Sequence, residues 1–338
     1  MPRSLSRMAR RKGGIGSVGA EGRERPRTRP ALTKEICRLA KLSSTGRTIA
    51  RLTLLAVLNF SLCEVSFAGD LTVRTPSPPR TVVEIPFKAY QDYLIVVDGR
   101  IGSLDHQNLL LDTGSNPSMI DQNVSAKLGL QGASRDLALF NKSVASESVT
   151  LPDLQCGPLR RQNLSVMVAD FSAISRGLGT RIDAVIGLDV LGATNFTVDY
   201  AKRRILFGAA SLEHHTVPFT SGEQFITVNV KSGGRQLHLL VDTGTPQLVL
   251  FENRLRGVDY VPTSVAGTGH NASGNVRFGA VVLPQAKIGT LEVGPQRASV
   301  VTSQQDFASD LDGLMGVSCL RPKRISFDFE RQLLGWSD

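Results

Sequence analysis

The stretch Leu109-Leu110-Leu111-Asp112-Thr113-Gly114 recurs as Leu239-Leu240-Val241-Asp242-Thr243-Gly244, displaced by 130 residues. One copy of the tripeptide says little, since at ordinary residue frequencies a chain of this length contains an Asp-Thr-Gly by chance about 6% of the time. Asp and Gly together usually signal nothing more than a turn. Two copies, each closing an apolar run, are a different matter. An Asp that follows three aliphatic residues is carried toward the core, where a lone carboxylate is costly. The cost is relieved if the two carboxyl groups meet and share a proton.

Outward from this pair, three further landmarks repeat in the same order. Ile85-Pro86-Phe87 returns as Val217-Pro218-Phe219 at an offset of 132. Asp183-Ala184-Val185-Ile186-Gly187 returns as Asp312-Gly313-Leu314-Met315-Gly316, and Phe196-Thr197-Val198-Asp199-Tyr200 as Ile325-Ser326-Phe327-Asp328-Phe329, both at 129. A constant order at near-constant spacing implies a duplicated structural unit. The expected lobes are residues 81–209 and 210–338. Within them the pattern is strand-like. Tyr93-Leu94-Ile95-Val96-Val97 and Phe225-Ile226-Thr227-Val228-Asn229-Val230 are β-branched and aromatic runs, each followed by a Gly-containing turn and a second apolar run that enters the Asp-Thr-Gly. Short helices are expected only at residues 121–128 and 170–175, with a counterpart near 303–310. The chain reads as an all-β protein of two homologous lobes related by a pseudo-twofold axis.

In these motifs the chain resembles the pepsin/retropepsin-like aspartic proteases, and the resemblance covers the whole body from Thr81 onward. That family carries an apolar strand, Asp-Thr/Ser-Gly-Ser/Thr/Ala and a later apolar-apolar-Gly, and all three occur twice here. The last is Val185-Ile186-Gly187 in one half and Leu314-Met315-Gly316 in the other. The resemblance implies two β-barrel-like lobes, with that later Gly on a strand passing beside the Asp loop. It implies that Asp112 and Asp242 are catalytic and hold a water between them. Two carboxylates about 3 Å apart cannot both ionise, so one takes the proton of the attacking water while the other donates toward the oxyanion. Thr113 and Thr243 correspond to threonines whose hydroxyls bond across the lobe interface. Gly114 and Gly244 correspond to residues that admit close approach of the loops and donate backbone N–H groups. Ser115 and Thr245 stand where a hydroxyl backs the outer carboxylate oxygen, which favours activity at acid pH. No cofactor is implied. With both copies in one chain, no obligate dimer is needed.

The sequence departs from the pepsin pattern in one respect, because no Tyr lies between Asp112 and Gly187. The candidate flaps are residues 138–150 and 267–279, where Phe140 and Phe278 are the aromatic residues. The implied activity is endopeptidase cleavage of peptide or protein substrates. The reading from another class is a non-catalytic peptide- or protein-binding module on the same fold, which the loss of either Asp would have favoured.

The formal charge of +9 is unevenly placed. Residues 1–68 hold 14 basic and 4 acidic groups, a charge of +10, while the rest hold 25 and 26, a charge of −1. A basic groove for nucleic acid is therefore not expected on the body. The apolar run from Leu52 to Leu62 follows Arg47 and Arg51 and is too short to span a bilayer, which takes roughly 17–25 residues. With Ser66-Phe67-Ala68 behind it, the segment matches a secretory signal cleaved after Ala68, with a short uncleaved membrane anchor as the alternative. Residues 69–80, containing Pro76, Pro78 and Pro79, read as a solvated linker. The body is thus expected to be exported, periplasmic or secreted, or tethered through the leader. It keeps two cysteines, Cys156 and Cys319, whose pairing the sequence leaves open. Its five scattered histidines give no metal-site spacing. Five Asn-x-Ser/Thr sequences, at Asn123, Asn141, Asn163, Asn195 and Asn271, matter only in a host that glycosylates exported proteins.

Overall fold

The computed structural model describes residues 81–338, apart from 141, 209, 212, 223–224, 272–273 and 303–309. The leader, the linker and the expected helix near 303–310 fall outside the described residues. The fold is all-β with two repeated β-rich lobes, as the duplicated pattern requires. Among the described residues, no helix is long and apolar enough to cross a membrane.

Each lobe is built on one large sheet. In the N-terminal half, Leu94–Ile101 and Leu104–Leu111 form a hairpin, and Ala184–Ile186 runs parallel to the second strand. Met119–Asp121, Leu159–Ala169, Ser143–Cys156 and Ala133–Ala138 continue outward. The C-terminal half repeats this order with Ile226–Ser232, Arg235–Asp242, Gly313–Gly316, Leu248–Phe251, Gln296–Val301, Gly274–Leu283 and Val261–Asn271. The side chains alternate by face as a strand demands. Leu109 and Leu111 enter the main core, while Leu110 between them joins a second apolar cluster.

A third sheet joins the halves. Its strand order is Val83–Pro86, Arg204–Phe207, Phe196–Asp199, Arg324–Asp328, Leu333–Ser337, His215–Pro218. Read from either end, it takes equivalent strands of the two repeats in the same sequence. At its centre Thr197 lies opposite Ser326, and these are the same position of the two repeats, 129 residues apart. The pseudo-twofold axis therefore passes between them. Phe196 stacks on Phe327 with ring centroids 4.7 Å apart, and the main buried cluster runs through this pair from one half to the other.

The repeated polar landmarks have matching structural duties. Asp183 is buried and accepts the Asn108 N–H at 2.8 Å, and Asp312 accepts the His238 N–H at 2.9 Å. Each is paired with an arginine of its own half, Arg181 and Arg235 respectively. Asp199 and Asp328 both close the turn that follows them, accepting from Lys202 N–H and Arg331 N–H. The expected helix at 121–128 is Gln122–Lys127, capped by the Asp121 side chain. The expected 170–175 helix begins two residues later, as Ser172–Leu178, because Asp170 spends its carboxylate on the Ser172 N–H before the first turn. A further turn of helix, Leu188–Leu191, is too short to have a periodic signature.

Asn195 holds the centre of the joining sheet. Its Nδ2 donates to Asp328 Oδ1 at 3.2 Å, and its Oδ1 accepts the Phe329 N–H at 2.8 Å. Its side chain is buried, so this member of the Asn-x-Ser/Thr set is not accessible to a glycan in the folded chain. Replacing Asn195 by Ala strands the part-buried Phe329 N–H and removes one of the two hydrogen bonds that Asp328 Oδ1 accepts, and is expected to lower stability by about 1–3 kcal/mol. Denaturant unfolding should show that loss in a single transition shared by both halves.

Candidate active site

The loop from Asp112 to Ser115 leaves the end of Leu104–Leu111 and is pinned to the neighbouring strand. Asp112 N–H donates to the Ile186 carbonyl at 3.0 Å, and Leu188 N–H donates to the Ser115 carbonyl at 2.9 Å. A side chain at Gly187 would run into that Ser115 carbonyl, which is why a Gly follows Val185-Ile186. Gly316 has the same relation to the Thr245 carbonyl in the other half, and its N–H donates to the Gln247 carbonyl at 3.1 Å.

The two loops are locked by four reciprocal hydrogen bonds. Thr113 N–H donates to Thr243 Oγ1 at 3.0 Å and Thr243 N–H to Thr113 Oγ1 at 3.1 Å. The Thr113 hydroxyl donates to the Val241 carbonyl at 2.8 Å, and the Thr243 hydroxyl to the Leu111 carbonyl at 3.0 Å. Both threonines are buried, so every one of these groups would otherwise be desolvated without a partner.

This lock sets Asp112 and Asp242 side by side. Gly114 N–H donates to Asp112 Oδ1 at 2.8 Å, and Gly244 N–H to Asp242 Oδ1 at 2.7 Å. The carboxyl groups lie within reach of each other, where both cannot ionise together, so they hold one proton between them. The approach depends on the glycines, because a Cβ at Gly114 would stand 2.5 Å from Asp242 Cγ and one at Gly244 2.8 Å from Asp112 Cγ. Burial raises both carboxyls above the usual range. Asp242 is pushed well above it, by burial and then by the neighbouring Asp112 charge. Asp112 is raised by burial but held back by the Asp242 hydrogen bond and by the Gly114 and Gly244 N–H groups. The pair titrates as a unit and retains one proton between the two carboxyls.

The supporting hydroxyls behave differently from expectation. The Ser115 hydroxyl donates to the Pro117 carbonyl at 3.1 Å. Its proton is thereby turned away from Asp112. Thr245 reaches Asp242 through its backbone N–H.

The dyad opens into a cavity of about 550 Å³ between the lobes. Asp112, Gly114, Ser115, Asp242, Gly244 and Thr245 all line it, so the residues singled out in sequence converge on one place, with Thr113 and Thr243 buried under the loops. Phe140 and Phe278, from the two candidate flaps, line it as well. Sequence reasoning missed Tyr93 and Phe225, which also line the cavity. They open the two repeated strand runs, so aligning the repeats places them at one position, but nothing in the residues says which face they take. Burial and the charges of Asp242 and Asp112 push the Tyr93 phenol up to about 12, so it keeps its proton. Cys156 and Cys319 are free, and burial pushes each thiol up to about 12.

A profile of the aspartyl protease family matches this chain twice, at residues 97–190 and 227–319. Each match spans one Asp-Thr-Gly and its later Gly, one per lobe, and together they cover more than half the chain. The chain belongs to the aspartyl protease family. A search of curated protein sequences found no match.

Gly114→Ala is expected to cost about 1–3 kcal/mol through overpacking against Asp242. Gly177→Ala, at a helical position with nothing within 4 Å of the added methyl, should be neutral or stabilising by up to about 1 kcal/mol. Thermal melting of the two variants separates close approach from generic glycine effects. A second expectation follows from linkage. A carboxyl whose folded pKa is raised contributes stability at low pH that is lost as pH rises through the folded value. Asp242→Asn removes this penalty, so its melting temperature relative to the parent should climb as pH rises above the ordinary carboxylate value of about 4, until Asp242 is ionised in the folded parent.

Proposed function

We propose that the chain is an exported aspartic endopeptidase in which Asp112 and Asp242 form the catalytic dyad. The observation that carries this reading is the juxtaposition of two carboxyl groups, each packed against the glycine of the other half's Asp-Thr-Gly, at an interlobe cavity that both line. Membership of the aspartyl protease family supports a peptidase. The uneven charge and the short apolar run before Ala68 support export.

Asp112, the ionised partner, takes a proton from a water held between the carboxyls as its oxygen attacks the scissile carbonyl carbon. Asp242 donates its proton to the carbonyl oxygen, giving a neutral tetrahedral diol. Asp112 then passes its proton to the amide nitrogen, the C–N bond breaks, and Asp242 recovers a proton from a diol hydroxyl. The dyad ends with one proton, as it began. The threonine lock keeps the carboxyls at fixed separation, so little reorganisation is needed during the reaction. Because each half supplies one Asp, one chain makes a whole site. The substrate is a peptide or protein segment, and the near-neutral body offers no reason to assign nucleic acid.

The raised carboxyls set the pH dependence. Activity needs Asp112 ionised and Asp242 protonated, so it should rise through an acid limb lying above the ordinary carboxylate value of about 4 and fall again as Asp242 ionises. The Ser115 hydroxyl does not pull the acid limb down, since it is committed to Pro117. Digestion of a peptide library across pH by the chain starting at Gly69, with and without a transition-state-mimic inhibitor, should give such a bell. Asp112→Asn should stay folded and lose cleavage by about 10²–10⁴-fold. Parent-like cleavage by that variant would overturn the dyad mechanism.

A further inference from the structure

At one end of the joining sheet, two segments from different halves of the chain lie against each other. The turn after Asp199 carries Lys202 and Arg203, and the approach to Ile325 carries Arg321 and Lys323. Their backbones are tied, since Tyr200 N–H donates to the Lys323 carbonyl at 2.8 Å and Asp199 faces Arg324 in register. The neighbouring Arg204 is paired with Glu84, and Arg324 lies between Asp199 and Glu213. Lys202, Arg203, Arg321 and Lys323 are all exposed. Among the described residues, none of these four is in an ion pair. Asp338, just beyond the Lys323 N–H bond to Ser337, turns its carboxylate to His215, 3.9 Å away.

The other repeat supplies an internal control. The pseudo-twofold axis carries this end of the sheet onto the opposite one. There Arg331 and Gln332 stand for Lys202 and Arg203, and Gly192 and Thr194 for Arg321 and Lys323. Arg331 is paired with Asp328, and Glu330 stands beside it. The architecture is therefore satisfied at that end with no surplus of positive charge. At the cationic end Arg321 holds φ 47° after the 3-10 turn Val317–Leu320, a position that Gly takes with least strain. The fold does not demand these cations, and the body as a whole is near neutral.

The cationic end also adjoins the rim of the dyad cavity. The Tyr200 hydroxyl donates to the Tyr93 carbonyl at 3.3 Å, and Phe87 N–H donates to the Arg203 carbonyl at 3.0 Å. Gln91 and Tyr93 line the cavity. The twofold-related rim is at Phe225, and there Phe219 N–H donates to the Gln332 carbonyl at 2.9 Å. One side of the cavity is thus backed by four unpaired cations and the other by a neutral turn. We infer that the cationic end is an exosite for an acidic stretch of the bound peptide, lying to one side of the part that crosses the dyad. A lipid surface fits this end less well. Among the described residues the large exposed apolar side chains are Val82 and Val261, which lie elsewhere in the fold, so this end has no apolar group to enter a bilayer. That the cavity takes a peptide rests on the proteolytic reading. The one-sided charge rests on the comparison of the repeats.

The test is a cycle of peptide tail against cationic end. The probe is a fluorescent transition-state-mimic peptide extended by a run of Glu or of Gln, on its N-terminal or its C-terminal side. Each form is titrated by anisotropy into the full chain and into a variant combining Lys202→Gln, Arg203→Gly, Arg321→Gly and Lys323→Gln. Glycine is chosen at 203 and 321 because both hold positive φ, 54° and 47°. On one side of the mimic the Glu tail should bind the parent about tenfold tighter than the Gln tail, as several exposed ion pairs acting together give. In the variant that factor should fall to about one, and in the parent it should shrink as salt is raised. The basic leader is common to both proteins, so its attraction cancels in the comparison. No preference for Glu, an equal preference on both sides, or a preference that survives in the variant overturns the inference. Should the combined variant melt with a collapsed transition, Lys202→Gln with Lys323→Gln serves instead and should cut the factor by about threefold. An unchanged factor would then count against the exosite. Binding to phosphatidylglycerol vesicles that the variant loses, with no tail preference, would replace the peptide by a lipid surface and overturn the proposal. A mimic that binds without regard to its tail sinks the exosite alone. A mimic that does not bind in any form sinks the proteolytic reading and the exosite with it.

Discussion

The four hydrogen bonds exchanged between Thr113 and Thr243 tie together two loops that belong to different halves of the chain, and the buried carboxyl pair depends on them. Each threonine satisfies a backbone carbonyl just before the other half's Asp and a backbone N–H just after it. Neither loop can settle into this conformation alone without stranding buried polar groups, each at a cost of about 1–3 kcal/mol. Around this lock the other features fall into place. The glycines at 114 and 244 clear the space the carboxyls need, and those at 187 and 316 let the supporting strands run flush against the loops. The carboxyl pair is thus overdetermined by its surroundings, which is how a fold holds two acidic groups in contact away from bulk water.

Much of this was legible before any coordinates. The repeated Asp-Thr-Gly, the later Gly and the two flanking landmarks pointed to two β-rich lobes and singled out the two Asp loops. They were legible because each solves a local problem that only certain residues can solve, such as a Gly at a collision or an Asp that must accept a strand N–H. The cavity lining was harder to read. Tyr93 and Phe225 are one residue each in an apolar run, and alternation alone does not say whether the first residue of a strand faces the core or the cleft. The partner of the Ser115 hydroxyl was hard to read for a related reason. A hydroxyl donor can have several acceptors within reach, and the sequence does not say that this one goes to the Pro117 carbonyl.

The two lobes share a plan but not a lining. Ser118 on the N-terminal side donates its hydroxyl to Asp189 and accepts the Gly187 N–H, whereas its repeat counterpart is Leu248 and the corresponding N–H of Gly316 goes to a backbone carbonyl. Tyr93 presents a phenol where Phe225 presents a bare ring. Asp112 keeps some exposure to the cavity while Asp242 is only 8% exposed. Such differences make two chemically identical residues inequivalent.

The palindromic sheet that joins the lobes has a bearing on the order in which this protein can be made. The strand Phe196–Asp199 has its second neighbour in Arg324–Asp328, and the strand Val217 belongs to is held by Leu333–Ser337. A ribosome delivers Asp112 and the whole N-terminal half long before those partners exist. Until residues beyond 324 emerge, the joining sheet has an open edge at the axis, and nothing holds the halves in the arrangement the threonine lock requires. The nascent chain therefore carries both aspartates well before it has the means to hold them together.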